Sequence, residues 1–216
     1  MDVFLILITV FLSYLLGSVP SAVWVGKAFY GIDVREYGSG NAGASNTFRV
    51  LGKKAGIFVL FLDFTKGFTA ATLVYFFNSL DPESVRWVNL QLLFGLSAVL
   101  GHIFPVFADF KGGKGIATLF GMVVSIHYLP ALACCAIFIL ILLATRYVSL
   151  SSITAVSLFP VLLIYVFRED AKLLIVFGIS AAIMVILTHQ KNIKRLIDGE
   201  ENKANILPKH RKNRNH

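Results

Sequence analysis

"VFLILITVFLSYLLGSVPSAVWV", residues 3 to 25, decides the class of this chain. The hydrocarbon core of a bilayer asks a helix for about 20 consecutive apolar residues. This stretch supplies them without one charged side chain. A secretory signal is the rival reading. However, Pro20 and Ser21 lead straight into more apolar sequence, Ala22 to Val25, and no soluble mature domain follows. The stretch is therefore expected to be a retained transmembrane helix.

The rest of the chain is written in the same way. Of its 216 residues, 56% are hydrophobic and only 15% charged, with a mean hydropathy of +0.75. Soluble domains carry about 25% charged residues, so water is not the main solvent here. Apolar runs fall near residues 3–27, 54–77, 88–107, 115–128, 129–145, 149–167 and 172–189. The fourth is short and Pro130 separates it from the fifth, which fits a kinked or broken pair of helices. The expected fold is all-α, a polytopic bundle of seven transmembrane helices. Residues 1–201 would form one membrane-embedded domain, followed by a basic, mobile tail over 202–216.

A formal net charge of +8 would raise nucleic acid as a partner of a soluble protein. In a membrane protein it reads as positive-inside topology, and no nucleic-acid partner is expected. If the N-terminus faces outward, one side receives Lys27, Arg35, Arg49, Lys53, Lys54, Lys111, Lys114, Arg146 and the eight basic residues from Lys191 to Arg214. The other side keeps Arg86, Arg168 and Lys172, while Lys66 lies inside a span. The imbalance places the N-terminus outside and the C-terminus in the cytoplasm. Cys134 and Cys135 are adjacent, which disfavours a mutual disulfide. Neither has metal-ligand spacing to a histidine, so both are expected to be small core residues and no metal site is expected.

This topology gathers the three stretches richest in glycine, asparagine and basic residues on the cytoplasmic face. The first, "YGSGNAGASNTFRVLGKK" (37–54), contains a literal G-x-G-x-x-G over Gly38–Gly43, with Asp63 twenty residues further on. A dinucleotide fingerprint must follow a strand and open a helix of a parallel-sheet unit, whereas here a membrane span precedes it and Asp63 lies inside the next. What survives is a loop whose backbone N–H groups can turn toward an anion. Ser39, Asn41, Ser45, Asn46 and Thr47 add short polar groups, and Arg49 adds a planar fork suited to phosphate. A merely solvated loop is the bland alternative.

The second stretch, "FADFKGGKGIAT" (107–118), resembles the end of a Walker A loop in Gly112-Gly113-Lys114-Gly115. No Ser or Thr follows Lys114 and no upstream glycine has the spacing, so nucleotide hydrolysis is unsupported. Lys111 and Lys114 offer point charges where the next helix begins, and a helix N-terminus is itself an anion site. A positive-inside loop would need the lysines but not the glycines. In the third, "THQKNIKRLIDGEEN" (188–202), His189 and Asn192 are i, i+3 neighbours on a helix. Ile193, Leu196 and Ile197 form an apolar stripe, expected to be an amphipathic extension at the membrane surface. Asp63 and Lys66 share a helix face within an apolar run, where ionisable residues are expensive and either functional or mutually paired. His102 sits near the cytoplasmic end of its span and belongs to the same site or satisfies a buried backbone group.

Together, "GSVPSA" (17–22), "GSGNAGASNTFR" (38–49), "GHIFPVFADFKGGKGIAT" (101–118) and "HQKNIKRLIDGEE" (189–201) resemble the bacterial acyl-phosphate-dependent glycerol-3-phosphate acyltransferases of the PlsY type. The motifs stand in the family's order along nearly the whole chain. Ser45 stands where the family commonly has Thr, Gln190 follows the motif histidine, and the tail is longer and more basic. The resemblance implies a seven-helix enzyme of the bacterial inner membrane with its active site facing the cytoplasm. It implies acyl transfer from acyl-phosphate to the sn-1 hydroxyl of glycerol 3-phosphate, giving lysophosphatidate and inorganic phosphate for phospholipid synthesis, with no cofactor.

The residues matching the family's functional positions are Ser39, Arg49, Lys111, Lys114, His189 and Asn192. Ser39, His189 and Asn192 would orient or activate substrate. Arg49 and Lys114, with Lys111, would meet phosphate charge beside Gly38, Gly40, Asn41, Asn46, Gly112 and Gly113. Asp63, Lys66 and His102 would stand behind them. Partners would be both substrates, membrane lipid and an acyl-phosphate-producing enzyme. The H-x-x-x-x-D pattern of other glycerolipid acyltransferases is absent from the sequence. Two other classes remain open: a transporter for a phosphorylated metabolite, against which no inverted repeat is visible, and a structural membrane protein, which leaves the clustering unexplained.

Overall fold

The computed structural model of the protein describes residues 3–77, 80–82 and 84–204. Among these the chain is all-α. The expected mobile tail falls mostly on 205–216, outside the described residues.

The opening apolar run forms two helices, α1 (Val3–Ser18) and α2 (Ser21–Tyr30), bent by 41°. Read as one uninterrupted span in the sequence, the run breaks because Pro20 has no N–H and cannot continue the ladder. Gly31, in the left-handed region at φ 67°, ends α2. A short helix α3 (Ala44–Val50) carries Arg49 and leads into α4 (Lys53–Thr72), which continues as a 3₁₀ turn over Leu73–Phe76. Ser84 caps α5 (Val85–Ile103) by accepting from the Trp87 N–H. Helix α6 (Ile116–Ile126) stops at His127, and α7 (Tyr128–Thr145) restarts with Pro130 in its first turn, where a missing N–H costs nothing. The remaining helices are α8 (Val148–Val161), which passes into a π-turn over Leu162–Val166, α9 (Lys172–Thr188) and α10 (Gln190–Ile197).

Each apolar run of the sequence is thus helical. By length and composition four helical segments can cross a membrane, or up to six if each bent pair counts as one span. Helix α6, at 11 residues, is a shorter apolar helix.

Packing runs α1 against α5, α4 against α5 and α6, and α7 against α8 against α9. The α4–α6 contact is close because it is made of small residues. A Cβ on Gly67 would lie 1.8 Å from the Thr118 carbonyl oxygen, and one on Gly121 would lie 2.0 Å from that of Phe64. Such approach lets backbones pack where no hydrophobic effect drives helices together. The core between these helices holds Leu92, Val99, Met122, Phe159, Leu163 and Phe177. The outward faces are apolar as well: Phe4, Leu7 and Phe11 of α1, Leu132, Leu140 and Leu143 of α7, and Val176, Ile183 and Leu187 of α9 are all exposed. Apolar on both faces, with every long segment helical, is what lipid as a solvent demands.

Candidate active site

Three loops distant in sequence meet at one end of the bundle. The first is shaped from within by Asn46, 1% exposed. Its Nδ2 donates to the carbonyls of Val34 (2.7 Å) and Tyr37 (3.1 Å), and its Oδ1 accepts from the N–H (2.8 Å) and hydroxyl (3.1 Å) of Ser39. Gly38 and Gly40 take left-handed turns at φ 63° and 70°. All four contacts of Asn46 are internal, so this carboxamide holds the loop's shape and fixes Ser39, which is itself exposed. Before this loop, Asp33 takes the Arg35 guanidinium at 2.8 Å, and Arg35 Nη1 reaches the Ala108 carbonyl of the second loop at 3.0 Å. The Arg35 hydrogen bonds hold the Asp33 carboxyl at about 2, against an ordinary 3.8, despite burial pulling upward.

The second loop folds back on the end of α5. The Gly112 N–H donates to the Ile103 carbonyl (3.2 Å) and the Gly113 N–H to that of His102 (3.1 Å). A Cβ on Gly113 would meet His102 Nε2 at 2.2 Å, so only glycine lets the loop lie on this ring. These two N–H groups, expected to face an anion, are engaged inside the protein. The loop still presents two cations. The Lys111 side chain is exposed, with no partner among the described residues, and Lys114 stands one residue ahead of Gly115, which opens α6. Gly43 brings the first loop onto the second: a Cβ there would lie 4.0 Å from the Gly113 Cα and 2.9 Å from Asn41 Oδ1 of its own loop.

The third loop closes the site. Helix α10 leaves α9 at 63°, and His189 is the hinge residue. His189, 3% exposed, sets its Nδ1 2.8 Å from the Val185 carbonyl. A carbonyl can only accept, so Nδ1 carries the hydrogen and the neutral ring keeps its lone pair on Nε2. Asn192 is oriented from both ends. Its Oδ1 accepts from Lys114 Nζ, and its Nδ2 donates to Glu201 Oε1 at 2.7 Å. Glu201 also accepts from Ser149 of α8 (2.9 Å) and from Arg195 Nε (2.8 Å). Burial raises the Glu201 carboxyl, but the hydrogen bonds from Asn192, Arg195 and Ser149 outweigh it and hold the group below its ordinary value. Burial pulls the Lys114 ammonium down to about 8; Glu201 opposes the shift, and the charges of Arg195 and Arg49 add to it. Arg49 is therefore an electrostatic neighbour of Lys114, and Lys114 and Glu201 both act on His189.

Sequence reading put Ser39, Arg49, Lys111, Lys114, His189 and Asn192 on one face, and the structure brings Lys114, Asn192, His189 and Arg49 into one neighbourhood. It missed Glu201 and Ser149, which link α10 to α8. The available signal was the acidic cluster Asp198, Glu200 and Glu201 that ends the third motif after a basic stretch. Asp63 and Lys66 do pair, at 2.7 Å, and both are buried. Lys66 Nζ also donates to the Val19 carbonyl at 2.5 Å, which the Ser21 N–H shares at 3.0 Å where α1 breaks. His102 Nδ1 stands 3.6 Å from Asp63 Oδ1. These three lie beneath Gly113 and the α1–α2 break, behind the loops. No group of three or more metal-ligating side chains occurs among the described residues.

A family model described as glycerol-3-phosphate acyltransferase matches residues 7–199. A glycerol-3-phosphate acyltransferase of Chlorobium phaeobacteroides is 40% identical, over 89% of this chain and 93% of its own. One of Fusobacterium nucleatum subsp. nucleatum is 43% identical, over 89% and 94%. The crystal structure of PlsY (YgiH), an integral membrane glycerol 3-phosphate acyltransferase in its glycerol 3-phosphate form, superposes with a TM-score of 0.79. It is 39% identical and covers 92% of this chain and 95% of its own. The lysophosphatidic acid form of the same enzyme gives 0.77. With 39% identity to an integral membrane enzyme along nearly the full length and the apolar helices described above, this is a membrane protein. Its matched residues, 7–199, take in the first two loops of the site and the third as far as Gly199, and the chain belongs to the glycerol-3-phosphate acyltransferase family.

Proposed function

We propose that this enzyme moves a fatty acyl group from acyl-phosphate to the sn-1 hydroxyl of glycerol 3-phosphate, releasing lysophosphatidate and inorganic phosphate. The observation that carries the reading is the convergence of Lys114, Asn192 and His189 beside Arg49, at the end of a bundle whose sides face lipid. Both substrates carry phosphate, and this site offers cations to it. Arg49, Lys111 and Lys114 neutralise phosphate charge, while Ser39, held by Asn46, and Asn192, held by Glu201, orient the substrates. The glycerol hydroxyl donates its hydrogen toward His189 Nε2 and attacks the acyl carbon. The new ester C–O bond forms as the bond from the acyl carbon to the phosphate oxygen breaks, and the proton leaves with inorganic phosphate. Acyl-phosphate is an activated mixed anhydride, so positioning and charge suffice without an acyl-enzyme.

The site faces the cytoplasm of a bacterial inner membrane, with the N-terminus outside, the C-terminus inside and seven membrane helices, α6 among them. The domain comprises residues 1–201, and the basic segment from 202 is an appended tail. An acyl-phosphate-producing enzyme is the natural upstream partner. Arg49→Met and Lys114→Met test the reading. Each should raise KM for glycerol 3-phosphate and cut kcat/KM by about 100-fold, the loss of one charge-assisted contact of about 3 kcal/mol, with the fold retained. Unchanged kinetics, or phosphate-ester flux in vesicles without acyl transfer, would contradict it.

A further inference from the structure

The second loop is tied down unevenly. Its two ends are held at the close of α5, where Gly112 and Gly113 donate to the Ile103 and His102 carbonyls and the Tyr14 hydroxyl donates to the Phe104 carbonyl at 2.9 Å. Between these ends lies a tip, residues 105–111, that turns on two of its own carbonyls. The Ala108 and Phe110 N–H groups donate to the Pro105 carbonyl, at 3.1 and 2.9 Å, and the Lys111 N–H donates to that of Ala108 at 3.0 Å. To close this turn, Asp109 and Phe110 both take left-handed backbone, at φ 53° and 56°. A bulky side chain such as Phe110 adopts that region rarely and at a cost. Such a conformation persists where its surroundings over-determine it. Among the described residues, one hydrogen bond reaches the tip from elsewhere in the chain. Arg35 Nη1 donates to the Ala108 carbonyl at 3.0 Å, the same oxygen that receives the Lys111 N–H.

Arg35 is itself fixed. Its Nε donates to Asp33 Oδ1 at 3.0 Å and its Nη2 to Asp33 Oδ2 at 2.8 Å, a two-point fork. Asp33 Oδ1 also accepts from the Arg35 N–H at 3.0 Å, capping a single 3₁₀ turn over Val34–Glu36. Lys27 of α2 stands 3.4 Å from Asp33 Oδ2, and Asp109 of the tip acts on the Arg35 guanidinium through its charge. A lysine at 35 would offer one point charge, whereas the planar fork grips Asp33 with one edge and still reaches Ala108. The preceding residue, Val34, is fully buried, and its carbonyl takes Asn46 Nδ2, the carboxamide whose oxygen holds Ser39. Consecutive residues of one short turn thus set both loops: Val34 through Asn46 to Ser39, and Arg35 through Ala108 to Lys111.

We infer that Asp33 and Arg35 form a clasp that positions Lys111, at the cationic edge of the second loop, against Ser39 of the first. The inference rests on the roles proposed above for Lys111 and Ser39 in holding substrate. Arg35 is a positioning residue, acting through the Ala108 carbonyl. Without the clasp the left-handed turn relaxes and Lys111 leaves its place, while the end of the loop seated on α5 stays where it is.

The test is a double-mutant cycle on the purified full chain, with glycerol 3-phosphate varied at saturating acyl-phosphate: wild type, Arg35→Ala, Lys111→Met and the two together. Each single change is expected to cut kcat/KM for glycerol 3-phosphate about tenfold. The pair should lose no more, because a positioning group is idle once the group it positions has gone; a merely structural arginine would give losses that multiply. Amide hydrogen exchange over residues 105–111 should quicken in Arg35→Ala, with α4 and α5 at the wild-type rate, and should stay unchanged in Lys111→Met, whatever the acyl donor. Should Arg35→Ala not fold, Asp33→Asn replaces it in the cycle, since it keeps the oxygen that caps the turn and withdraws the charge that grips the guanidinium. Wild-type kinetics in Arg35→Ala, losses that multiply to about 100-fold in the pair, or unchanged exchange at the tip would overturn the inference. Any of these beside a Lys111→Met defect would overturn it alone. Wild-type kinetics in Lys111→Met would overturn the role proposed for Lys111, and the inference with it.

Discussion

Lys114 joins two demands that pull against each other. In the proposed reaction it must be charged to meet phosphate, yet burial lowers its pKa to about 8, with Glu201 opposing that shift and Arg195 and Arg49 adding to it. The sign is fixed: a lysine loses its charge as pH rises through its pKa. In the free enzyme the cation is therefore present below about 8 and is lost above it. The pH profile of kcat/KM for glycerol 3-phosphate, which reports free-enzyme groups, should fall on the alkaline side of that value. Lys114→Arg, with a guanidinium that stays protonated, should hold flat across the same range at a lower plateau. A wild-type profile flat well past pH 8 would remove Lys114 from phosphate recognition. At this scale the sequence was informative where a residue type carries the chemistry. Arg49 and Lys114 stood out as cations suited to phosphate within glycine-rich stretches, and His189 and Asn192 through the motifs that resemble the family's. What stayed hidden were partners. Nothing in the spacing of Asn46 says that its amide serves Val34, Tyr37 and Ser39, because such pairings follow from loop geometry and have no period along the chain.

Helices were legible because lipid leaves the backbone no alternative, and every apolar run became one. Their interruptions were harder to read. Residues 3–27 look continuous in hydropathy, yet the chain bends 41° at Pro20, and the bend matters twice. It leaves the Val19 carbonyl to the Ser21 N–H and to Lys66 Nζ, which share it, and it opens a cavity against α4. The buried Asp63–Lys66 pair thereby braces a broken helix. Helix α10 depends on a second brace, Glu201, which ties Asn192 and Arg195 to Ser149 of α8. Glu201→Ala would leave three donors without an acceptor, and the Arg195 charge without a partner. It should cost about 3 kcal/mol and lower the melting temperature in detergent. Glu201→Gln keeps one acceptor and should lie between Ala and wild type. Equal melting temperatures for all three would show that the α10–α8 link carries no weight.

On the scale of the whole molecule, the three loops that carry the candidate site are confined to one end. The three loops converge there, while the connectors around Asp81–Arg86 and Arg168–Lys172 are short. That asymmetry, with the charge distribution, predicts the orientation in the membrane. In a background lacking Cys134 and Cys135, cysteines at Lys54 and Lys111 should resist an impermeant thiol reagent in intact cells and react after lysis. One at Lys172 should react in both, and the reverse pattern would invert the topology. The central claim, however, is the reaction. The purified protein should be given glycerol 3-phosphate with acyl-phosphate, acyl-CoA or acyl-carrier protein, each alone. The account predicts lysophosphatidate and stoichiometric inorganic phosphate with acyl-phosphate only. Product from a thioester donor and none from acyl-phosphate would contradict it.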